Sequence, residues 1–162
     1  MPEIAPDAST TLTLTSAAKT QALGVRLGQA ATAGDIILLS GPLGSGKTAL
    51  TQGIARGLGL TETINSPTFT LLKEHITGRL PLYHFDLYRI DDPEEIWSLG
   101  FEDYFSGAGL CVVEWAERAP DAWPGPWLWA TVQVTGTHTR RMDFHARGAR
   151  GVALLQSAER YT

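Results

Sequence analysis

Residues 41–48 read Gly-Pro-Leu-Gly-Ser-Gly-Lys-Thr and match the pattern G-x-x-x-x-G-K-[ST] at every fixed position. Glycines let such a backbone curl so that successive N–H groups point into one concavity, and a following helix adds the positive end of its dipole. This arrangement binds the phosphates of a nucleotide. Lys47 is therefore expected to reach the β- and γ-phosphates, and Thr48 to present its hydroxyl to Mg²⁺.

The flanking segments distinguish this interpretation from a glycine-rich turn with an unrelated lysine. Residues 35–39 form a short apolar run typical of a buried strand, and residues 47–56 predict a helix with Leu50, Ile54 and Leu58 on one face. Strand, loop and helix thus occur in the order that phosphate binding requires.

Three further side chains could complete a nucleotide site. Glu114 ends the apolar run Leu-Cys-Val-Val, which is the form of a strand with a metal-binding acid at its tip, although aspartate is commoner there and a water-facing glutamate is the alternative. Thr68 and Asp86 are the other two candidates, because phosphoryl transfer also needs a water or hydroxyl oriented in line. Thr68 could instead be an ordinary loop cap, and Asp86 could instead be a strand-end acid paired with Arg89. His84 is expected to have a structural role.

The remaining segments predict elements around this site. Ser16 is a plausible N-cap for a helix to about Ala33, and an antiparallel hairpin is predicted over residues 69–75 and 82–88. Residues 1–9 are expected to form a loose tail. The other predicted elements are strands over 10–15, 109–115, 128–135 and 140–146, a helix opened by residues 91–95 and continuing through Leu99, and a short helix or strand over 152–158.

Composition limits the class of protein. The chain has 162 residues, which suits a single domain, and its net charge of −4 argues against an extended basic surface for nucleic acid, although a local patch that includes Arg140 remains open. The single cysteine, Cys111, excludes an internal disulfide. No apolar stretch approaches the roughly 18 residues of a membrane span, so we expect a soluble, cytoplasmic protein without membrane contact.

Further motifs follow the phosphate loop along the chain: Ser-Pro-Thr-Phe-Thr at 66–70, His-Phe-Asp-Leu-Tyr-Arg at 84–89, Asp-Pro-Glu-Glu at 92–95, Leu-Gly-Phe at 99–101, Asp-Tyr-Phe at 103–105 and Val-Glu-Trp at 113–115. Taken in this order with the phosphate loop, they resemble the motifs of the bacterial TsaE (YjeE) family. Phe69 departs from the tyrosine that the family often has at this position.

The resemblance implies the ATPase component of tRNA threonylcarbamoyladenosine biosynthesis. It implies an α/β P-loop NTPase fold over residues 1–162, with a mostly parallel central sheet, helices on both faces and an added antiparallel hairpin. It also implies TsaB and TsaD family partners in a heteromeric complex, and leaves direct contact with tRNA open.

The resemblance also assigns roles to residues. The ATP phosphates are expected at Leu43, Gly44, Ser45, Gly46, Lys47 and Thr48, with Mg²⁺ held by Thr48 and Glu114. Thr68 and Asp86 resemble the residues that sense or orient the γ-phosphate, and Lys47 is expected to act with them in catalysis. Trp115 resembles the residue that shields the nucleotide. Candidates near the adenine are Thr15 or Ser16 and Arg140. A small-molecule kinase and a nucleotide-dependent binding switch with little hydrolysis are the alternative functions.

Overall fold

A computed structural model of the chain describes residues 6–98 and 100–160. In this part of the chain, seven strands form one sheet in the order β1-β7-β6-β2-β5-β4-β3. The strands are β1 (Ala8–Leu14), β2 (Ile36–Ser40), β3 (Leu72–His75), β4 (Leu82–Asp86), β5 (Leu110–Glu114), β6 (Trp127–Val134) and β7 (Arg140–Arg147). The helices are α1 (Ala17–Ala30), α2 (Lys47–Gly57), α3 (Glu95–Ser98), α4 (Glu102–Phe105) and α5 (Gly148–Glu159), with a 3-10 turn over Ala116–Arg118.

The middle of the sheet is parallel and its edges are antiparallel. Strands β6, β2, β5 and β4 pair in parallel, so their carboxyl ends meet at one edge of the sheet. The predicted hairpin is confirmed, because β3 pairs with β4 antiparallel, with Leu72 opposite Phe85. At the other edge, β7 pairs antiparallel with both β6 and β1.

Each face of the sheet has its own buried core. In β2, Ile37 and Leu39 belong to one core and Ile36 and Leu38 to the other, as the alternation of a strand requires. The first core also contains side chains of α1, α2 and α5, and the second contains Ile96 of α3 and Phe105 of α4 in a set rich in aromatic residues. The expectation of an α/β sheet with helices contributing to both faces is confirmed.

Helices α1 and α2 pack unusually closely through glycine. A Cβ atom on Gly24 would lie 2.4 Å from the Leu50 carbonyl oxygen, and one on Gly53 would lie 2.1 Å from the Gln21 carbonyl oxygen. Both positions therefore need glycine for this approach. Since α2 begins at Lys47, the phosphate loop is mounted on a tightly fixed helix.

Several boundaries differ from the sequence prediction. The prediction of a loose tail over residues 1–9 extends too far, because Ala8 and Ser9 belong to β1 and pair with Ala146 and His145 of β7. Residues 1–5 lie outside the described residues. The Ser16 cap is confirmed by a 3.1 Å hydrogen bond from the Lys19 N–H, but the helix ends at Ala30, three residues early.

Two further segments depart from the predicted pattern. The strand expected from residue 69 begins only at Leu72, because the Leu71 N–H bonds the Pro67 carbonyl at 2.8 Å and Leu71 has a φ of 66°. The helix opened by residues 91–95 is a single turn, and Leu99, assigned to its continuation, lies outside the described residues. The segment 152–158 is helical within α5.

No helix over residues 6–98 and 100–160 has the length and apolar character required to span a bilayer.

Candidate nucleotide-binding site

The glycine-rich loop connects the last residue of β2, Ser40, to the first residue of α2, Lys47. Gly44 and Gly46 have φ values of 75° and 111°, a left-handed region that glycine adopts without the penalty of a Cβ atom. The Ser45 hydroxyl is buried and has no hydrogen-bond partner within the described chain. This concave loop therefore presents an unsatisfied buried donor as well as its backbone, which suits an anionic ligand.

Lys47 supplies a buried positive charge at the base of the loop. Its side chain is 4% exposed, and Nζ donates to the carbonyl oxygens of Gly41 and, at 3.0 Å, Pro42. Burial lowers the pKa of Lys47, while the nearby carboxylates of Glu117, Glu114 and Asp86 raise it. Carbonyl oxygens are weaker partners than phosphate for an ammonium group, so an incoming phosphate can replace them.

Glu114 lies at the carboxyl end of β5 and is 2% exposed, so the alternative of a water-facing glutamate is wrong. Its Oε1 accepts a 3.3 Å hydrogen bond from the Thr48 hydroxyl. Its Oε2 lies 2.5 Å from Nε2 of His84. A hydroxyl and a carboxylate oxygen side by side are ligands of the kind that Mg²⁺ prefers.

Asp86, at the end of β4, is 1% exposed and accepts three hydrogen bonds. Its Oδ2 accepts from the hydroxyls of Ser66 and, at 3.2 Å, Thr68. Its Oδ1 accepts from the Tyr88 N–H at 2.8 Å. These contacts fix the carboxylate and join the loop containing residues 66–68 to the end of β4. Arg89 instead places its guanidinium 4.3 Å from the Phe69 ring.

One cavity of about 360 Å³ brings these groups together. Its lining consists of Leu43, Gly44, Ser45, Gly46, Lys47, Thr48, Ser66, Thr68, Asp86, Tyr88, Glu114 and Trp115. The cavity therefore collects the predicted phosphate-loop residues, both predicted metal ligands, Thr68, Asp86 and Trp115.

Arg140 has a different position from the other predicted site residues. It does not line the cavity, and its Nε donates to the Ser45 carbonyl at 2.9 Å from behind the loop. Its guanidinium also donates to the carbonyls of Gly136 and Thr139. Ser16, a further adenine candidate, caps α1. These contacts give Arg140 a bracing role for the phosphate loop.

The residues present fit a nucleotide that brings its own magnesium ion. In the described part of the chain, no group of three or more His, Cys, Asp and Glu side chains forms a ready-made metal site. Mg²⁺ in nucleotide sites keeps several waters and binds through one or two protein groups plus the phosphates. Thr48 and Glu114 could supply that small number of ligands.

Sequence reasoning missed several contacts of the site. Ser66 and Tyr88 hold Asp86, Glu117 accepts from the Gly41 N–H at 3.0 Å, and His84 contacts Glu114. The spacing His-x-Asp was a usable signal, because residues two apart on a strand face the same side of the sheet. Glu117 has no comparable signal, since its contact depends on the turn that follows β5.

Comparisons with known proteins show which family the chain belongs to. Residues 14–142 match the family model described as threonylcarbamoyl adenosine biosynthesis protein TsaE. The chain is 44% identical to a TsaE of Bacillus subtilis, covering 79% of this chain and 80% of that one, and 49% identical to a TsaE of Nostoc, covering 70% and 72%. The crystal structure of Bacillus subtilis YdiB is similar with a TM-score of 0.82 and 34% identity, covering 95% of this chain and 96% of that one. The chain belongs to the TsaE family.

Proposed function

We propose that the protein is a Mg²⁺-dependent ATPase that acts in the cytoplasm with TsaB and TsaD family partners. The names of its relatives specify tRNA threonylcarbamoyladenosine biosynthesis. In this proposal the protein supports formation of that threonylcarbamoyl group on the adenosine next to the anticodon. The observation that carries the ATPase proposal is the convergence of Lys47, Thr48, Glu114 and Asp86 on one cavity of about 360 Å³.

Binding of ATP follows from the groups that line the cavity. Lys47 exchanges its two loop carbonyls for phosphate oxygens, and the buried Ser45 hydroxyl gains a partner. Thr48 and Glu114 would hold Mg²⁺, which would neutralise negative charge on the phosphates. The helix dipole of α2, which begins at Lys47, adds to the positive potential.

Hydrolysis requires a water molecule placed in line with the γ-phosphate. Asp86 is suited to orient that water because three donors fix its carboxylate at the cavity wall. Two of these donors, Ser66 and Thr68, come from one loop, so contact of Thr68 with a γ-phosphate changes the same network. Asp86 and Thr68 thus link water orientation to the presence of the terminal phosphate.

The site has a shortage of positive charge for rapid hydrolysis. Among the described residues lining the cavity, Lys47 is the single cation. The nearby Arg118 places its guanidinium 5.5 Å from the Trp115 ring and 5.6 Å from the Tyr88 ring. Phosphoryl transfer gains about 10³–10⁵-fold in rate when an additional arginine reaches the transition state. We therefore propose that TsaB or TsaD supplies an additional positive charge to the site, and that this charge increases the rate of ATP hydrolysis.

Phosphate release measured with and without purified TsaB and TsaD tests the proposal. We expect slow hydrolysis by the protein alone and at least a tenfold increase with both partners. Equal rates in both mixtures contradict partner stimulation, and transfer of the phosphoryl group to a metabolite without phosphate release identifies a kinase instead.

Asp86→Asn separates an ATPase from a switch that needs only ATP binding. The variant keeps the shape of the side chain but loses the carboxylate charge, so ATP binding is expected to survive while hydrolysis and pathway function are lost. If tRNA modification persists with the variant, ATP binding alone is sufficient and hydrolysis is not the working step.

A further inference from the structure

His84 is a fully buried histidine in direct contact with the proposed metal ligand Glu114. The side chain is 0% exposed, and its Nε2 lies 2.5 Å from Oε2 of Glu114. The other carboxylate oxygen, Oε1, is the one that accepts from Thr48. The two oxygens of Glu114 therefore have separate partners, one on the protein interior and one on the phosphate loop.

We propose that His84 is a positioning residue that holds Glu114 in the orientation needed to ligate nucleotide-bound Mg²⁺. The proposal rests on the proposed function, since it concerns the same metal. Oε2 is occupied by the histidine, so Oε1 is the oxygen left for the cation beside Thr48. Partners of this kind fix the rotamer of a metal ligand and commonly change metal affinity about 10- to 100-fold.

The register of the sheet creates this contact. Asp86 is directly opposite Glu114 in the parallel pair, and His84 is opposite Val112. His84 and Asp86 are two residues apart on β4, so both lie on the face that carries Glu114. His84 is then the diagonal neighbour of Glu114, a separation that a long side chain can bridge. One His-x-Asp pair on β4 thus provides a support for the metal ligand and an acid at the cavity wall.

The hydrogen-bonding pattern indicates which nitrogen carries the proton. Nδ1 of His84 is buried without a partner in the described chain, whereas Nε2 faces a carboxylate oxygen. A carboxylate accepts, so Nε2 is the donor in this contact. Removal of this donor leaves Oε2 of Glu114 buried and unpaired, and the carboxylate then rotates towards another donor.

The variants that test the proposal are His84→Gln and His84→Asn. Glutamine can place its amide N–H close to the position of Nε2, while the shorter asparagine cannot reach it. His75 provides a matched control, because it is also buried and its Nδ1 lies 2.8 Å from Glu62, an exposed carboxylate that, unlike Glu114, does not line the cavity. His75→Gln therefore alters a comparable pair outside the site.

The measurement is the dissociation constant of mant-AMPPNP, a fluorescent ATP analogue, with 5 mM Mg²⁺ and with EDTA. For His84→Asn we expect Mg²⁺-supported affinity to fall about 10- to 100-fold, while the affinity in EDTA changes less than about twofold. His84→Gln is expected to stay within about threefold of the unmodified protein, and His75→Gln to lower thermal stability without altering Mg²⁺ dependence. Mn²⁺ electron paramagnetic resonance of the nucleotide complex provides a second readout of metal binding.

Two results overturn the proposal. Either His84→Asn and His84→Gln retain the same Mg²⁺ dependence as the unmodified protein, or both lose affinity equally in Mg²⁺ and in EDTA. Should His84→Asn fail to fold, His84→Leu takes its place, because leucine also lacks the donor to Glu114. The same loss of Mg²⁺-supported affinity is expected, and an unchanged Mg²⁺ dependence overturns the proposal. Failure of the proposed function is distinguishable, because the unmodified protein would then bind the analogue without any response to Mg²⁺.

Discussion

The ammonium group of Lys47 lies 3.8 Å from the centroid of the Trp115 ring. At this distance the cation interacts favourably with the ring face, which is most effective when both groups are removed from water. Trp115 has a φ of 60°, a left-handed conformation that costs a non-glycine residue about 1–2 kcal/mol. The indole that contacts Lys47 therefore belongs to a residue with a strained backbone.

Replacing Lys47 with alanine is expected to weaken ATP binding roughly 10- to 100-fold. A hydrogen bond to a charged group contributes about 1.5–3 kcal/mol, and this ammonium is the cation lining the described cavity. Isothermal titration calorimetry with ATP and Mg²⁺ measures the effect. The exposed Lys73 provides the control, and Lys73→Ala should leave affinity unchanged. An equal loss in both variants would point to a general effect of charge.

Arg140→Ala is expected to lower affinity about 3- to 10-fold for ATP and GTP alike. The side chain braces Ser45 from outside the cavity, so its removal loosens the loop by about 1 kcal/mol without touching the base. Competition binding with ATP and with GTP measures this loss of affinity. The control is Arg141→Ala, because Arg141 is the neighbouring residue and its side chain is half-exposed. A loss confined to ATP would instead favour the adenine contact that the sequence suggested.

Local spacing in the sequence predicts the elements around the candidate site, but not the contacts between elements. The loop at 41–48, the strand before it and the helix after it follow from local spacing, and Glu114 follows from an apolar run that ends in an acid. The contact of His84 with Glu114 joins two strands, so it depends on a register that no local pattern contains. The position of Arg140 depends likewise on how β7 is placed relative to the loop.

Boundary errors have a related cause. Residues 69–71 have strand-forming side chains, but the hydrogen bond from Leu71 to Pro67 diverts the backbone before β3 begins. The segment 152–158 was ambiguous because short apolar runs suit a helix and a strand equally. Packing of Leu154 and Leu155 into the core on the α1 side decides for helix α5.

Gly53→Ala is expected to destabilise the protein by about 1–3 kcal/mol, because added volume in a tight contact must push the helices apart. The new Cβ atom would lie 2.1 Å from the Gln21 carbonyl oxygen. Differential scanning calorimetry should show Tm lower by roughly 3–10 °C. At Gly136 the nearest atom to an added Cβ is 3.5 Å away, so Gly136→Ala serves as the control. Equal Tm values for the two variants would contradict the close α1–α2 packing.

Cys111 is expected to resist alkylation in the folded protein. Burial raises the pKa of its thiol from 9.0 to about 12, so the reactive thiolate is scarce and inaccessible. Because the folded state keeps the proton more tightly, this group's contribution to stability is present below pH 9 and is lost as pH rises towards 12. Iodoacetamide at pH 8, followed by mass spectrometry, should label the urea-unfolded chain fully and the native chain hardly at all. Similar labelling rates in both states would show that Cys111 is accessible.

The most direct test of the ATPase account is a crystal structure with Mg²⁺ and a non-hydrolysable ATP analogue. We predict the phosphates inside the loop of residues 41–48, Lys47 Nζ moved from the Gly41 and Pro42 carbonyls to phosphate oxygens, and Mg²⁺ between Thr48 and Glu114. A nucleotide bound elsewhere, with Lys47 still bonded to its own loop, would contradict the account.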